Sequence, residues 1–348
     1  MTVSNKTFGY FFILLMVVWW SGCKNNTLPS PRKAVAEGTM LTDTVSRIKK
    51  EVTETLDSAD YAERLLSLAH DSATEKWPAS SRIFPETGAL LPFNRVVAYY
   101  GNFYSKYMGI LGSLPEEQLV KNLLQETEIW TKADTSTPAI PAIHYVAITA
   151  QNKPGRGNLY RLRMPDNQIQ KAINLGRKIN GITFLDVQVG HSRVQNEVPY
   201  LEKFLLNDDV HLGLDPEWSM KDGTIPGRKI GTMDAKDINF AIEYLSDLVK
   251  THGLKPKIIV IHRFTKGMIT NAEDIQPTPQ VQVVINMDGF GFPAKKVDSY
   301  RRAVSAHPVQ FTGFKLFYKN DTFTKPNRLM TCKEILGLYP KPVYIQYQ

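Results

Sequence analysis

From Arg95 to its last residue the chain reads as eight short β-like runs alternating with helix-like segments. The runs are RVVAYYGN (95–102), AIHYVAI (142–148), ITFLDVQVG (182–190), VHLGLDPEW (210–218), KIIVIHRF (257–264), VQVVINMDGF (281–290), FTGFKLFY (311–318) and PVYIQYQ (342–348). Strands alternating with helices imply βαβ units and a parallel sheet, and eight such units are the number that closes a TIM barrel. The 95–348 stretch has about the 250 residues typical of that fold. The expected class is therefore α/β, a (β/α)8 TIM barrel over 93–348, with an N-terminal helical extension.

Active sites of such barrels lie at the C-terminal ends of the strands, and here several strands end in polar residues. Residues two apart in a strand share a face, so Asp186/Gln188, Asp215/Glu217 and Asn286/Asp288 form three polar pairs. Leu185, Val187, Leu212, Leu214, Val283, Ile285 and Met287 alternate with them and suit the helix-facing surface. That parity turns the polar pairs into the barrel mouth. His144 and His262 occupy matching late positions on the second and fifth strands. Lys315 is ambiguous in parity between Phe314 and Leu316. With Tyr100 or Asn102 and Gln346, these residues make a ring of polar and titratable groups around one opening. The alternative to a functional pocket is that Asp186 and Asp288 simply balance Lys315 or Arg263. His211 is expected low in the barrel.

Composition excludes some function classes. The net charge is +8, yet lysines and arginines are scattered, without the basic runs or aromatic-interleaved motifs of nucleic-acid binders, so no nucleic-acid partner is expected. There is no phosphate-cradling Gly-rich loop, no Gly-x-Ser-x-Gly elbow and no zinc-spaced cysteine set. Gly289 and Gly291 flank Phe290 after a strand and suit a turn approaching the pocket.

The N-terminus carries a targeting pattern. Lys6 precedes the apolar run Phe8 to Trp20, followed by Ser21-Gly22-Cys23 and the polar Lys24-Asn25-Asn26. The run is short for a bilayer span, which favours a cleaved signal over a permanent helix. The segment resembles a bacterial lipoprotein signal peptide, with Trp20 where a Leu-like residue is usual. The resemblance implies cleavage after residue 22 and lipidation of Cys23, which would place the domain outside the cytoplasm on a cell membrane or outer membrane. Cys332 then has no partner, so no disulfide framework is expected.

Residues 23–92 read as a tether and helical extension. Thr27 to Lys33 is a short linker. Leu41, Val45, Ile48, Val52 and Leu56 recur at steps of three and four, continuing to Leu65, Leu66 and Leu68, which predicts an amphipathic helix that packs on the barrel or forms a stalk, a self-associating or partner-binding helix being the alternative. Trp77 to Pro92 is expected to be an irregular connector closing the barrel floor. Further helices are predicted from Leu114-Pro115 through Trp130, from Pro165-Asp166 through Ile179, and after the N-cap Asp234 to His252, stopping at Gly253. The 219–231 loop, rich in Gly, Lys and Arg, reads as a solvated excursion, a cover over the site being the alternative.

Asp215-Pro216-Glu217-Trp218 places two carboxylates beside an aromatic ring, a setting for holding a sugar while one acid donates a proton. Glycoside hydrolysis uses two carboxyl groups, one kept protonated by a raised pKa. On that reading Glu217 is the general acid, Asp215 orients or stabilises the developing positive charge, and Asp288 tunes both by like-charge coupling. Asp186, Gln188, His144, His262, Asn286, Tyr100, Asn102, Trp218, Lys315 and Gln346 are the candidate substrate-binding residues. Trp218, Tyr99, Tyr100 and Phe290 are candidate stacking platforms. No cofactor and no metal are called for.

At these positions the sequence resembles glycoside hydrolase barrels. Leu212-Gly213-Leu214-Asp215-Pro216-Glu217 is similar to the fourth-strand Asp-x-Glu ending of family 18 chitinases and family 25 lysozymes. Asn286-Met287-Asp288 loosely resembles the chitinase Met-x-Tyr-Asp element. The resemblance implies Glu217 as acid and Asp215 as the group positioning a substrate acetamido. His211 and Gly213 stand where the chitinase pattern has further aspartates, and Met287 where it has tyrosine. The full-length pattern also resembles uncharacterised secreted bacterial barrel proteins, which implies no reaction. A second reading is metal-assisted hydrolysis of a phosphodiester or amide, with Asp186, Asp215, Glu217 and Asp288 and His144 or His262 as ligands. A third is a barrel that binds a glycan or envelope partner without catalysis.

Overall fold

The computed structural model describes residues 56–79 and 83–348. The leader, Cys23, the tether and the part of the amphipathic pattern from Leu41 to Val52 lie outside the described residues.

Eight strands form the barrel: β1 (Arg95–Gly101), β2 (Ala139–Ala150), β3 (Ile182–Val187), β4 (Val210–Leu214), β5 (Lys257–Arg263), β6 (Val281–Met287), β7 (Phe311–Leu316) and β8 (Tyr344–Tyr347). Each pairs in parallel with the next and β8 pairs with β1, so the sheet closes without a free edge. The fold is the expected (β/α)8 TIM barrel.

Strand alternation divides the apolar residues into two cores. Leu185, Val187, Leu212, Leu214, Val283, Ile285 and Met287 face the helices, where they join Leu119, Leu123, Ile169 and Ile173. Tyr99 lies in this outer core, its hydroxyl 3.2 Å from that of Tyr318. It therefore points away from the mouth and is not a platform there. The inner core comprises Val96, Ala98, Ala142, Phe184, Val260, Val284 and Tyr344.

The helices are α1 (Ser58–Leu68), α2 (Glu116–Ala133), α3 (Asp166–Lys178), α4 (Ala235–His252), α5 (Pro293–Tyr300) and α6 (Cys332–Leu336), with shorter single turns between some strands. Asp234 caps α4 by accepting the Lys236 N–H at 3.1 Å, and Gly253 ends it at φ 62°, where glycine carries no Cβ penalty. One expected helix is absent. Between β5 and β6 the chain makes the 3₁₀ turns Lys266–Met268 and Ala272–Asp274 and the two-residue strand Ile269–Thr270 in place of a helix. Pro277 and Pro279 keep any helix from running on towards β6. Asn239 of α4 pins this connector, donating to the Asp274 carbonyl at 2.8 Å and accepting from the Gln276 N–H at 3.0 Å.

Helix α1 closes the floor. Tyr61 and Leu65 enter the inner core with Leu91 of the following connector. Gln282 of β6 holds that connector, accepting the Leu91 N–H at 3.1 Å and donating to its carbonyl at 2.6 Å. The described residues form one compact unit, so the described part of the extension is built into the barrel. Cys332 is a free thiol at the start of α6, and burial pushes its pKa up, which disfavours the reactive thiolate. Among the described residues no helix is long and apolar enough to cross a membrane.

Candidate active site

The ladder sets where each strand gives way to loop. Beyond β3, the Gln188 N–H still donates to the Ile148 carbonyl at 2.9 Å; beyond β4, Asp215 donates to Val187 at 3.1 Å; beyond β6, Asp288 donates to Arg263 at 3.2 Å. These side chains therefore keep the inward parity of their strands. Glu217 does not follow that rule. Pro216 has no N–H for the ladder, and Pro216–Trp218 winds into a 3₁₀ turn. The turn, rather than the pleat, carries Glu217 into the mouth beside Asp215.

A cleft of about 490 Å³ opens at the C-terminal ends of the strands. Tyr100, Gln188, Asp215, Glu217, Trp218, Asp288, Phe290 and Lys315 line it, as do Tyr107, Met108, Phe264, Lys295, Phe317 and Gln348. Phe264, Phe317 and Gln348 immediately follow β5, β7 and β8, so the strand-end rule could have found them. Tyr107, Met108 and Lys295 come from loop and helix positions with no local signal. No residue of the 219–231 loop lines the cleft. Ion pairs from Lys221 to Asp237 and from Lys229 to Asp222 occupy two of its lysines.

Beneath the cleft lie His144, Asp186, His262, Asn286 and Gln346, all fully buried. They do not line the cleft, so direct substrate contact passes to the residues above them. Asn102 is also buried, donating to the Val146 carbonyl at 2.9 Å and accepting the Tyr104 N–H at 2.9 Å. Its amide shapes the loop after β1. Arg263 points outward to the carbonyls of Thr265 and Lys266 and balances neither aspartate. His211 lies in the interior as expected, accepting the Ile258 N–H at 3.1 Å and packing on Phe184.

The buried charges form a connected chain. Lys315 Nζ stands 3.0 Å from Asp288 Oδ1, and His262 Nδ1 is 3.1 Å from Asp288 Oδ2. On its other side His262 Nε2 lies 3.5 Å from Asp186 Oδ1, which is 3.3 Å from His144 Nε2. Tyr100 donates to Asp186 Oδ2 at 3.1 Å, and Gln188 links the Tyr100 hydroxyl to Asp215 Oδ2, at 3.3 Å each. Lys315 thus takes the inward orientation that its sequence context left open.

These contacts separate the carboxyl groups electrostatically. Burial, reinforced by the charge of Asp288, pushes Glu217 up to about 7. Burial also drives Asp215 well above the usual carboxylate range, despite the opposing effect of His262. Burial acts in the same sense on Asp288, but Lys315 and His262 outweigh it and hold that carboxyl low. Burial disfavours a charged His262, yet Asp186 and Asp288 raise it to about 10; burial prevails at His144, lowering it to about 4. The mouth therefore presents a carboxyl group that carries its proton near neutral pH and another that is ionised, beside aromatic rings.

A staple below the wall fixes this arrangement. Lys296 of α5 is buried, donates to the Gly289 carbonyl at 2.9 Å and that of Lys315 at 2.6 Å, and pairs with Asp321 at 2.7 Å. Asp321 in turn accepts the N–H groups of Gly291 and Phe317. The strand ends carrying Asp288 and Lys315 are locked together by this pair. No family model matches the chain, and no curated protein matches it.

Proposed function

We propose that this protein is a glycoside hydrolase in which Glu217 donates a proton to the departing glycosidic oxygen. The observation that carries the reading is the pairing of Glu217, pushed up to about 7, with ionised Asp288 in one aromatic-lined cleft. Glycosidic cleavage needs such an acid together with negative charge near a developing oxocarbenium ion. Asp215, held above the usual carboxylate range, is suited to donate a hydrogen bond to a substrate oxygen such as that of an acetamido group. Trp218 and Phe290 supply faces for sugar rings, whereas the Tyr100 ring is buried beneath Lys315. If Cys23 is lipidated, the enzyme works outside the cytoplasm on a cell-envelope or environmental glycan.

The test is release of reducing ends from N-acetylhexosamine oligosaccharides and cell-wall glycan fragments by the wild type and by Glu217→Gln. The reading expects hydrolysis that the substitution reduces by about 10²- to 10⁴-fold. Equal release by both proteins, or none by the wild type on any of these glycans, would count against it.

A further inference from the structure

One layer below the cleft, three ligand-type atoms converge with no close partner except one another. They are His144 Nε2, Asp186 Oδ1 and His262 Nε2, each fully buried. The two nitrogens lie 3.3 and 3.5 Å from the oxygen, and all three atoms fall within 4.8 Å of one another. Those separations exceed the roughly 2.9–3.0 Å of a good N–H···O bond. They match the edge, about 3.3 Å, of a tetrahedron of ligands around zinc. A triangle with edges of 3.3 and 3.5 Å and a third of at most 4.8 Å has a point no more than about 2.4 Å from every corner. A closure of a few tenths of an ångström would bring all three atoms to coordination distance.

The surroundings orient these atoms. His144 Nδ1 meets the Tyr344 hydroxyl at 2.6 Å, and His262 Nδ1 meets Asp288 Oδ2 at 3.1 Å, so each ring is held at Nδ1 with Nε2 turned inward. Tyr100 holds the other oxygen of Asp186. Such outer partners are what metal-bound histidines and carboxylates ordinarily have. On β4, which lies between β3 and β5, Gly213 is in register with Asp186 and leaves the approach clear. A Cβ there would stand 2.4 Å from Asp186 Oδ1 and 2.6 Å from His144 Nε2.

We propose that His144, Asp186 and His262 form a binding site for a divalent first-row transition ion, inside the barrel and below the cleft. Two imidazoles and a carboxylate favour zinc, cobalt or iron over magnesium or calcium, which prefer oxygen ligands. The ion compensates the buried carboxylate of Asp186 and ties β2, β3 and β5 together beneath the cleft. Asp215, Glu217 and Asp288, which the sequence had offered as ligands, are not part of this site. The ion takes the place of the proton on His262 Nε2, and the assignment rests on this geometry rather than on the glycosidase reading.

The test uses full-length protein stripped with a chelator, then supplied with zinc alone. Anomalous diffraction at the zinc edge is expected to show an ion bounded by the three atoms at about 2.0–2.2 Å. Calorimetry is expected to give one zinc per chain, with affinity unchanged in Glu217→Gln and in the surface control His252→Ala. Tyr344→Phe, which frees His144 Nδ1, should weaken binding by about 10- to 100-fold. Absence of binding, an anomalous peak only at other histidines, or unchanged affinity in a folded Tyr344→Phe protein would overturn the assignment.

Discussion

Lys315 Nζ stands 3.0 Å from Asp288 Oδ1, with both side chains almost wholly buried. The same ammonium lies 3.8 Å from the centre of the Tyr100 ring. A cation set over an aromatic face and against a carboxylate, out of water, is held at a single place. It keeps Asp288 ionised, and ionised Asp288 in turn helps keep Glu217 protonated. The acid and the anion of the mouth are thus coupled, with Lys315 and His262 together holding the anion.

Lys315→Met leaves Asp288 buried with His262 as its remaining ion partner. The loss of a buried partner should cost about 3 kcal/mol of stability. Urea unfolding monitored by tryptophan fluorescence measures it; a change under 1 kcal/mol would mean that the pair contributes little.

The pH profile of kcat/KM should fall on its alkaline side with a midpoint near 7, because Glu217 must be protonated and its pKa is raised to about 7. The acid-side limb should lie below the ordinary carboxylate range, since Asp288 must be ionised and its pKa is depressed. Initial rates across pH 3 to 9 test both limbs. An alkaline limb at the ordinary glutamate value of about 4.3 would contradict the environment described for Glu217.

Gly213→Ala would place a methyl 2.4 Å from Asp186 Oδ1 and 2.6 Å from His144 Nε2. Both side chains must shift in a packed interior, at a cost of about 1–3 kcal/mol. A lowered melting temperature, with displaced His144 and Asp186 in a crystal structure, is the expected result.

Leu65→Ala removes an apolar plug from the barrel floor, where Leu65 is 3% exposed. Truncation of a buried leucine costs about 2–5 kcal/mol. Chemical denaturation should show this loss. If α1 merely rested on the surface, the change would stay below 1 kcal/mol.

The strand count, the parallel class and the inward faces of Asp186, Gln188, Asn286 and Asp288 were legible in the sequence. Strand alternation is a local property: a two-residue period shows in the residues themselves, whatever the rest of the chain does. The same holds for the Asp234 cap and the Gly253 stop, which act on one helix. Other positions were decided by distant partners. Tyr99 and Tyr100 look alike as neighbours, and only the pairing of β1 with β2 and β8 sends one to the outer core and the other to the mouth.

Local reasoning also extended β4 through Trp218, whereas Pro216 ends the ladder and a 3₁₀ turn delivers Glu217. Strand endings alone put His144 and His262 at the same opening as Glu217. The closed register sets them a layer lower, around Asp186, because height in a barrel depends on how every strand is staggered against its neighbours. Helix α1 as the floor, and Lys296 as the staple between β6 and β7, likewise arise from contacts far apart along the chain. The sequence by itself determined which residues of a strand share a face, since that follows from a short-range period; the tertiary structure decided which face turns inward where the context was ambiguous and which residues meet, since both depend on long-range register and closure.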